Sequence, residues 1–275
     1  MLYELNKPED LPQIKKYGKA YGTALLREWL PGICKTNNLF IVDSEAEFKK
    51  VQDRLPEIFI CRADAKTGEA PTLGVEGCVI KKEDAISYIK KVKQSNPNGV
   101  TLLIDTQEGT KEKVNTNGAF NVYLQMDDKL YIDFLGKGFD MGAITKGKEN
   151  HESWVIDWKD ILFVTPENMN THRKAIISEE HYLESARRRL QYLIDIGYKK
   201  DEIKGKIPKK YQPMSLAIKE MILEQIVMPL YLQKEKLSRA GLKSFGVQGM
   251  VLGDELFPIE CNRMQRFADK SVFEK

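Results

Sequence analysis

The sequence predicts an α+β fold in two lobes, and three observations lead there. Short apolar runs flank a single helix early in the chain, two strand-like runs meet as a hairpin in the middle, and the long helical patterns come only later. Strands and helices are thus segregated more than regularly alternated, which separates α+β from a repeating βαβ order. With 275 residues the chain is long enough for one large domain or two lobes with a sizeable core.

The elements follow in order. Residues 8–31 read as one or two short helices closed by Pro31 and Gly32. NLFIVD is an apolar run suited to a buried strand, and in SEAEFKKVQDRL the Ser44 to Glu47 spacing is that of a capping box at a helix start. EIFICR reads as a second strand, and a loop rich in Gly, Thr and Ala leads from it to CVI. A helix over about 83–94 aligns Ala85, Ile86, Ile89 and Val92 on one face, and GVTLLID follows as a strand. FNVYLQM and KLYIDFL, separated by DDK, predict a hairpin. WVIDWKDILFV is apolar enough to be buried, and HYLESARRRLQYLIDIG has helical spacing that ends at Gly197 as a C-cap. Residues 198–213 are polar and basic and read as a surface connection. The helix expected over 214–236 contains Pro229, which predicts a kink or break. FGVQGMVLGDELFPIECNR closes the pattern as two strands joined at GDE.

Composition excludes several classes. Apolar residues at 42% and charged residues at 30% suit a globular chain and not a disordered one, and a net charge of +3 is too small to argue for nucleic acid. No run approaches the roughly 18 uncharged apolar residues of a membrane span, and the charged amino terminus lacks a signal-peptide core, so a cytoplasmic protein is expected. Cys34, Cys61, Cys78 and Cys261 are widely spaced without a C-x-x-C pair, which suggests neither zinc nor a disulfide framework and reads as reduced thiols.

The strongest chemical signal is PIECNRMQRF at 258–267. Strand alternation puts Glu260 and Asn262 on one face and Cys261 on the other. A carboxylate beside a carboxamide oxygen suits magnesium, and Arg263 and Arg266 add guanidinium forks for phosphate or carboxylate; a solvated polar strand end is the competing reading.

A strand, a turn, and a strand ending in E-x-N-R resembles the last metal-binding strand of the ATP-grasp superfamily. EIFICR, the loop to Gly77, the next helix and LLIDTQEG resemble, in that order, its phosphate strand, glycine-rich flap, helix and hinge. The resemblance implies two lobes with a nucleotide cleft between them: an amino-terminal helical extension over 1–38, a small lobe over 39–110, and a large lobe with a mixed sheet over 111–275. It implies ATP and magnesium as cofactors. Arg62 and Lys66 would meet the phosphates, with the loop amides at Gly74 and Gly77 above them. Asp105 and Glu108 would serve the hinge to ribose and adenine. Glu260, Asn262 and Gln248 would hold magnesium, and Arg263 would face the phosphate or acyl substrate. Arg62 stands where the family usually has Lys, and Gln248 where it usually has an acid.

Outside the resemblance, glycines flank Lys137 in GKGFD, which reads as a tight turn or as a lysine placed to reach phosphate or substrate carboxylate. His151 and Glu152 are a solvated loop pair or an acid and base. The basic runs at 187–189 and 206–210 are solvated faces or a polyanion site. The expected function is an ATP- and magnesium-dependent ligase that activates a carboxylate of a small molecule or peptide for capture by an amine. The alternatives are a phosphotransferase with another acceptor, or a non-catalytic module binding nucleotide or nucleic acid.

Overall fold

The computed structural model describes residues 1–30, 38–66, 75, 77–105, 116–125, 129–137, 152–163, 165, 171–173, 178–195, 197–205, 207–233, 235 and 244–262. Among them the fold is mixed α+β around two sheets, both antiparallel.

The first sheet holds β1 (Leu2–Glu4), β2 (Asn38–Val42), β3 (Ile58–Asp64), β4 (Cys78–Lys81) and β5 (Val100–Asp105) in the order β1-β2-β5-β3-β4. All of β5 is buried, Thr101 and Asp105 included, as expected of a central strand covered on both faces. Alternation sorts the neighbouring strands. Leu39, Ile41, Ile60, Val79, Leu102 and Ile104 pack with Ile14, Tyr17 and Ala20 on one face. Phe40, Val42, Phe59, Cys61 and Leu103 face Phe48 of α3 (Glu45–Lys49) and Ala85, Tyr88, Ile89 and Val92 of α4 (Ala85–Ser95). Ser44 caps α3 by accepting from the Glu47 amide, as its spacing predicts, whereas Tyr88 joins the buried face of α4 and Ile86 lies at its margin.

The amino-terminal region was expected to be helical. It does supply α1 (Leu11–Ile14) and α2 (Gly18–Trp29), but its first residues form β1, paired antiparallel with β2. A three-residue strand carries too few alternations to stand out in a sequence.

The second sheet holds β6 (Thr116–Gln125), β7 (Lys129–Leu135), β8 (Glu152–Asp157), β9 (Thr171–Arg173), β10 (Ser244–Leu252) and β11 (Glu255–Asn262), ordered β11-β10-β6-β7-β8-β9. It was expected to be mixed and is antiparallel, because β6-β7-β8-β9 and β10-β11 are sequential neighbours and the two runs meet at an antiparallel β10-β6 pair. One face is apolar: Phe120, Val122, Ile132, Phe134, Trp154, Val247 and Leu256 pack against Leu25, Leu26 and Leu30 and against the helices of residues 216–232. Those helices are α7 (Leu216–Ile222), a π-turn over Leu223–Val227, and α8 (Met228–Leu232). The expected irregularity at Pro229 is present as this π-turn just before it, which absorbs the backbone donor that proline lacks.

Two readings change. Leu162 and Phe163, in the 3-10 turn Trp158–Phe163 that was expected to be buried, are exposed. Residues 198–213 are more than a surface link: Ile203 of α6 (Lys200–Ile203) is buried in the core of the first sheet, and the Pro208 carbonyl accepts from the Tyr182 hydroxyl. Among the described residues no helix is long and apolar enough to cross a membrane.

Candidate functional site

The chemistry-bearing residues lie on the other face of the second sheet. Register aligns Gln248 of β10 with Asn121 of β6, Asn121 with Asp133 of β7, and Asp133 with Ser153 of β8. Residues directly opposite in a ladder share a face, so these four form a polar row across four strands. The row is extended at one end by the backbone pairing of Gln248 with position 260 and at the other by that of Ser153 with position 173. Gln248, Asn121, Asp133 and Ser153 are all buried.

Polar side chains removed from water must find partners. Ser153 Oγ donates to Asp133 Oδ1 at 2.6 Å. The Asn121 Nδ2 donates to the Tyr123 hydroxyl, while Asn121 Oδ1 is buried and finds no hydrogen-bond partner among the described residues. Burial pushes the Tyr123 phenol well above its usual range, and the charge of Asp133 adds to the effect against the opposing Asn121 bond. Tyr123 therefore stays a neutral hydroxyl. Among the described residues Asn121 Oδ1 is one of six such buried atoms, and the only one of them in the row.

Position 260 reaches the row through a bulge. Gln248 pairs with Glu260 but the next residue, Gly249, pairs with Pro258, which leaves Ile259 as an extra residue in β11. Counting from Phe257, simple alternation would put positions 259 and 261 in line with the Gln248 face; the bulge shifts the phase so that 260 and 262 align with Gln248 and Gly246 instead. Gly249 lies at the same irregularity, where a Cβ would come within 2.3 Å of the Phe120 ring.

The remaining expected residues separate into groups. Arg62 lies on the first sheet beside Gly77, where an added Cβ would sit 3.1 Å from the Arg62 Nε, so these two expected phosphate contacts are adjacent. Register sets Arg62 opposite Leu102, on the face of Ile60. Asp105, buried, is three residues from Leu102 along β5 and so belongs to the opposite face, with Leu103. Arg62 and the expected hinge residue Asp105 are thus not brought together. Lys66 is exposed and bridges to Tyr17 through the backbone. Lys137 follows β7 and donates its amide to the Gln212 carbonyl at 2.9 Å. Of Glu260 and Asn262 the backbone alone is described, and Arg263, Gly74 and Glu108 lie outside the described residues, as does His151. Glu152 belongs to the apolar face, where it accepts from Lys219 Nζ at 2.5 Å and from Trp154 Nε1 at 2.9 Å. That engagement makes it a link from β8 to α7.

One helix touches both sheets. α5 (Glu179–Asp195) packs Tyr182 against Ala119 and Leu135, on the polar-row face of the second sheet, and packs Leu193 into the Arg62 face of the first. Sequence reasoning found Gln248 but not Asn121, Asp133 or Ser153. The signal for those three was a polar residue among apolar ones in each of three strands, which alternation alone assigns to solvent. Among the described residues no group of three or more His, Cys, Asp or Glu gathers as a metal site. No protein-family model matches the chain, and no curated protein matches it.

Proposed function

We propose that the chain binds ATP with magnesium over the polar face of the second sheet, as an ATP-grasp-type ligase that activates a carboxylate for capture by an amine. The observation that carries this reading is the buried row, in which the unpartnered Asn121 oxygen stands in register with Gln248 and with the E-x-N strand. Carboxylate and carboxamide oxygens are the ligands magnesium takes, usually with phosphate oxygens completing its shell. The donor types in the row therefore fit the ion, with Glu260, Gln248 and Asn262 as its holders. Bound there, magnesium would offset charge on a transferring phosphoryl group. Arg62, beside Gly77 on the sheet face that shares α5, would supply the guanidinium for phosphate oxygens. Asp105 has no part in this group.

The test is thermal melting of the full chain with and without ATP and magnesium. A ligand at about 100 times its dissociation constant stabilises the folded state by roughly 2.7 kcal/mol. The wild-type chain is expected to gain this and Glu260→Ala to lose it. Equal stabilisation of both proteins would remove Glu260 from the site, and no stabilisation of either would end the nucleotide reading.

A further inference from the structure

Cys61 and Cys78 are 17 positions apart in the chain, yet they stand directly opposite one another on the antiparallel strands β3 and β4. We infer that this pair is a site of reversible covalent modification, an intrachain disulfide that ties β4 to β3 under an oxidising thiol pool.

The backbone satisfies the distance requirement whichever kind of pair this is. Opposed antiparallel residues have Cα atoms about 4.5 or 5.5 Å apart, and both values fall within the roughly 4.4–6.8 Å that disulfides span. Opposed residues also share a face. Cys61 packs in the core cluster that contains Ile80, two residues beyond Cys78 in the same strand, so the strand phases agree. Cβ atoms of such pairs lie about 4.5–5.5 Å apart, slightly beyond the disulfide mean, so one strand must move by roughly an ångström. β4 can do this: it is four residues long and, among the described residues, is an edge strand paired with β3 alone. Opening of an edge strand also gives oxidant a route to Cys61, which is fully buried in the closed sheet.

The chemistry balances with glutathione disulfide as oxidant. One cysteine thiolate attacks a glutathione sulfur, the glutathione S–S bond breaks and the first glutathione thiolate leaves. The second cysteine thiolate then attacks the protein-bound sulfur, forming the Cys61–Cys78 bond and expelling the second glutathione thiolate. Two protein thiols are oxidised and one glutathione disulfide is reduced. The bond would join the residue before Arg62 to the residue after Gly77, which lie side by side, since a Cβ added at Gly77 would sit 3.1 Å from the Arg62 Nε. It therefore pins the base of the loop between them. That consequence rests on the proposed nucleotide site, whereas bond formation does not.

The experiment equilibrates the full chain with a series of reduced-to-oxidised glutathione ratios, blocks remaining thiols with iodoacetamide, and reads intact mass and non-reduced peptides. The expected product has lost about 2 Da, contains a linked Cys61–Cys78 peptide, and melts several degrees higher because a closed loop of this length restricts the unfolded chain. Cys34→Ser with Cys261→Ser should leave the linkage intact, while Cys78→Ser and Cys78→Ala should each abolish it. Carbamidomethylated Cys61 and Cys78 at ratios that fully oxidise dithiothreitol, or linkage of either residue only to Cys34, Cys261 or glutathione, would overturn the inference. Nucleotide-induced melting shifts of the oxidised and reduced forms provide a separate readout. A linked protein with an undiminished shift keeps the bond and removes its effect on the site, and absence of any shift in either form counts against the nucleotide reading alone.

Discussion

Replacing Asp64 tests how the first sheet is joined to the helix that carries it onto the second. Asp64 ends β3, and its Oδ2 accepts from the amides of Lys19 and Ala20, each at 3.0 Å, while Oδ1 accepts from Ala65 at 2.9 Å. The Lys19 and Ala20 amides are in the first turn of α2, whose N-cap residue Tyr17 makes no side-chain cap. Asp64 therefore caps the helix from a strand 44 residues away in sequence. Loss of an N-cap costs about 1–2 kcal/mol, and each buried amide left without a partner about 1–3 kcal/mol. Asp64→Ala is thus expected to destabilise by about 3 kcal/mol, a fall in melting temperature of roughly 6–12 °C for a chain of this size.

Asp64→Asn separates shape from charge. It keeps one oxygen for α2 and loses the Ala65 bond, so it should cost about 1 kcal/mol or less. Burial raises the Asp64 pKa above its ordinary value of 3.8, against the backbone bonds from Ala20, Lys19 and Ala65 and the Lys19 charge, which lower it. The folded state then binds this proton more tightly than the unfolded state. The proton-linked component at Asp64, separate from the cap bonds, is fully present below pH 3.8 and is lost as the pH rises through the raised folded value. Differential scanning calorimetry of wild type and both variants across that window reads the effect, with the Asn variant expected to lack this component. An Asp64→Ala protein that melts with wild type at neutral pH would refute the capping argument.

Two further substitutions probe the faces of the second sheet. Lys219→Met removes a buried ammonium paired to Glu152 at 2.5 Å and placed 4.9 Å from the Trp154 ring centroid, so urea unfolding should show a loss of about 3–5 kcal/mol. Adding Glu152→Gln should recover part of it, because no uncompensated charge then remains; a fully additive double mutant would deny the coupling. Asn121→Leu removes a buried oxygen that has no partner among the described residues together with the Nδ2 bond to the Tyr123 hydroxyl, so without ligand the melting temperature is expected to change little while stabilisation by magnesium and ATP is lost. A large loss of intrinsic stability with the ligand response intact would make the polar row structural.

Much of the fold is legible in local patterns. The largely apolar run of β5, the alternation of β6 and β7, the Ser44 cap and the break near Pro229 each arise from interactions within a few residues, so neighbours in sequence are enough to indicate them. The candidate site is legible only in part. Strand period two couples 260 to 262, and that much the E-x-N motif carries. That Asn121, Asp133 and Ser153 continue the line is set by cross-strand register, which depends on how whole strands slide past one another and on one bulge at Ile259.

The same distinction explains the other surprises. Cys61 and Cys78 look unrelated along the chain and become opposed once β4 folds back on β3. Asp64 looks like a loop carboxylate until α2 is laid against it. Arg62 and Asp105 look like members of one site until the β3–β5 register assigns them to opposite faces. Backbone period and turn chemistry act over a few residues and fix which elements form. Pairing and packing act between residues tens of positions apart, and they fix which side chains meet.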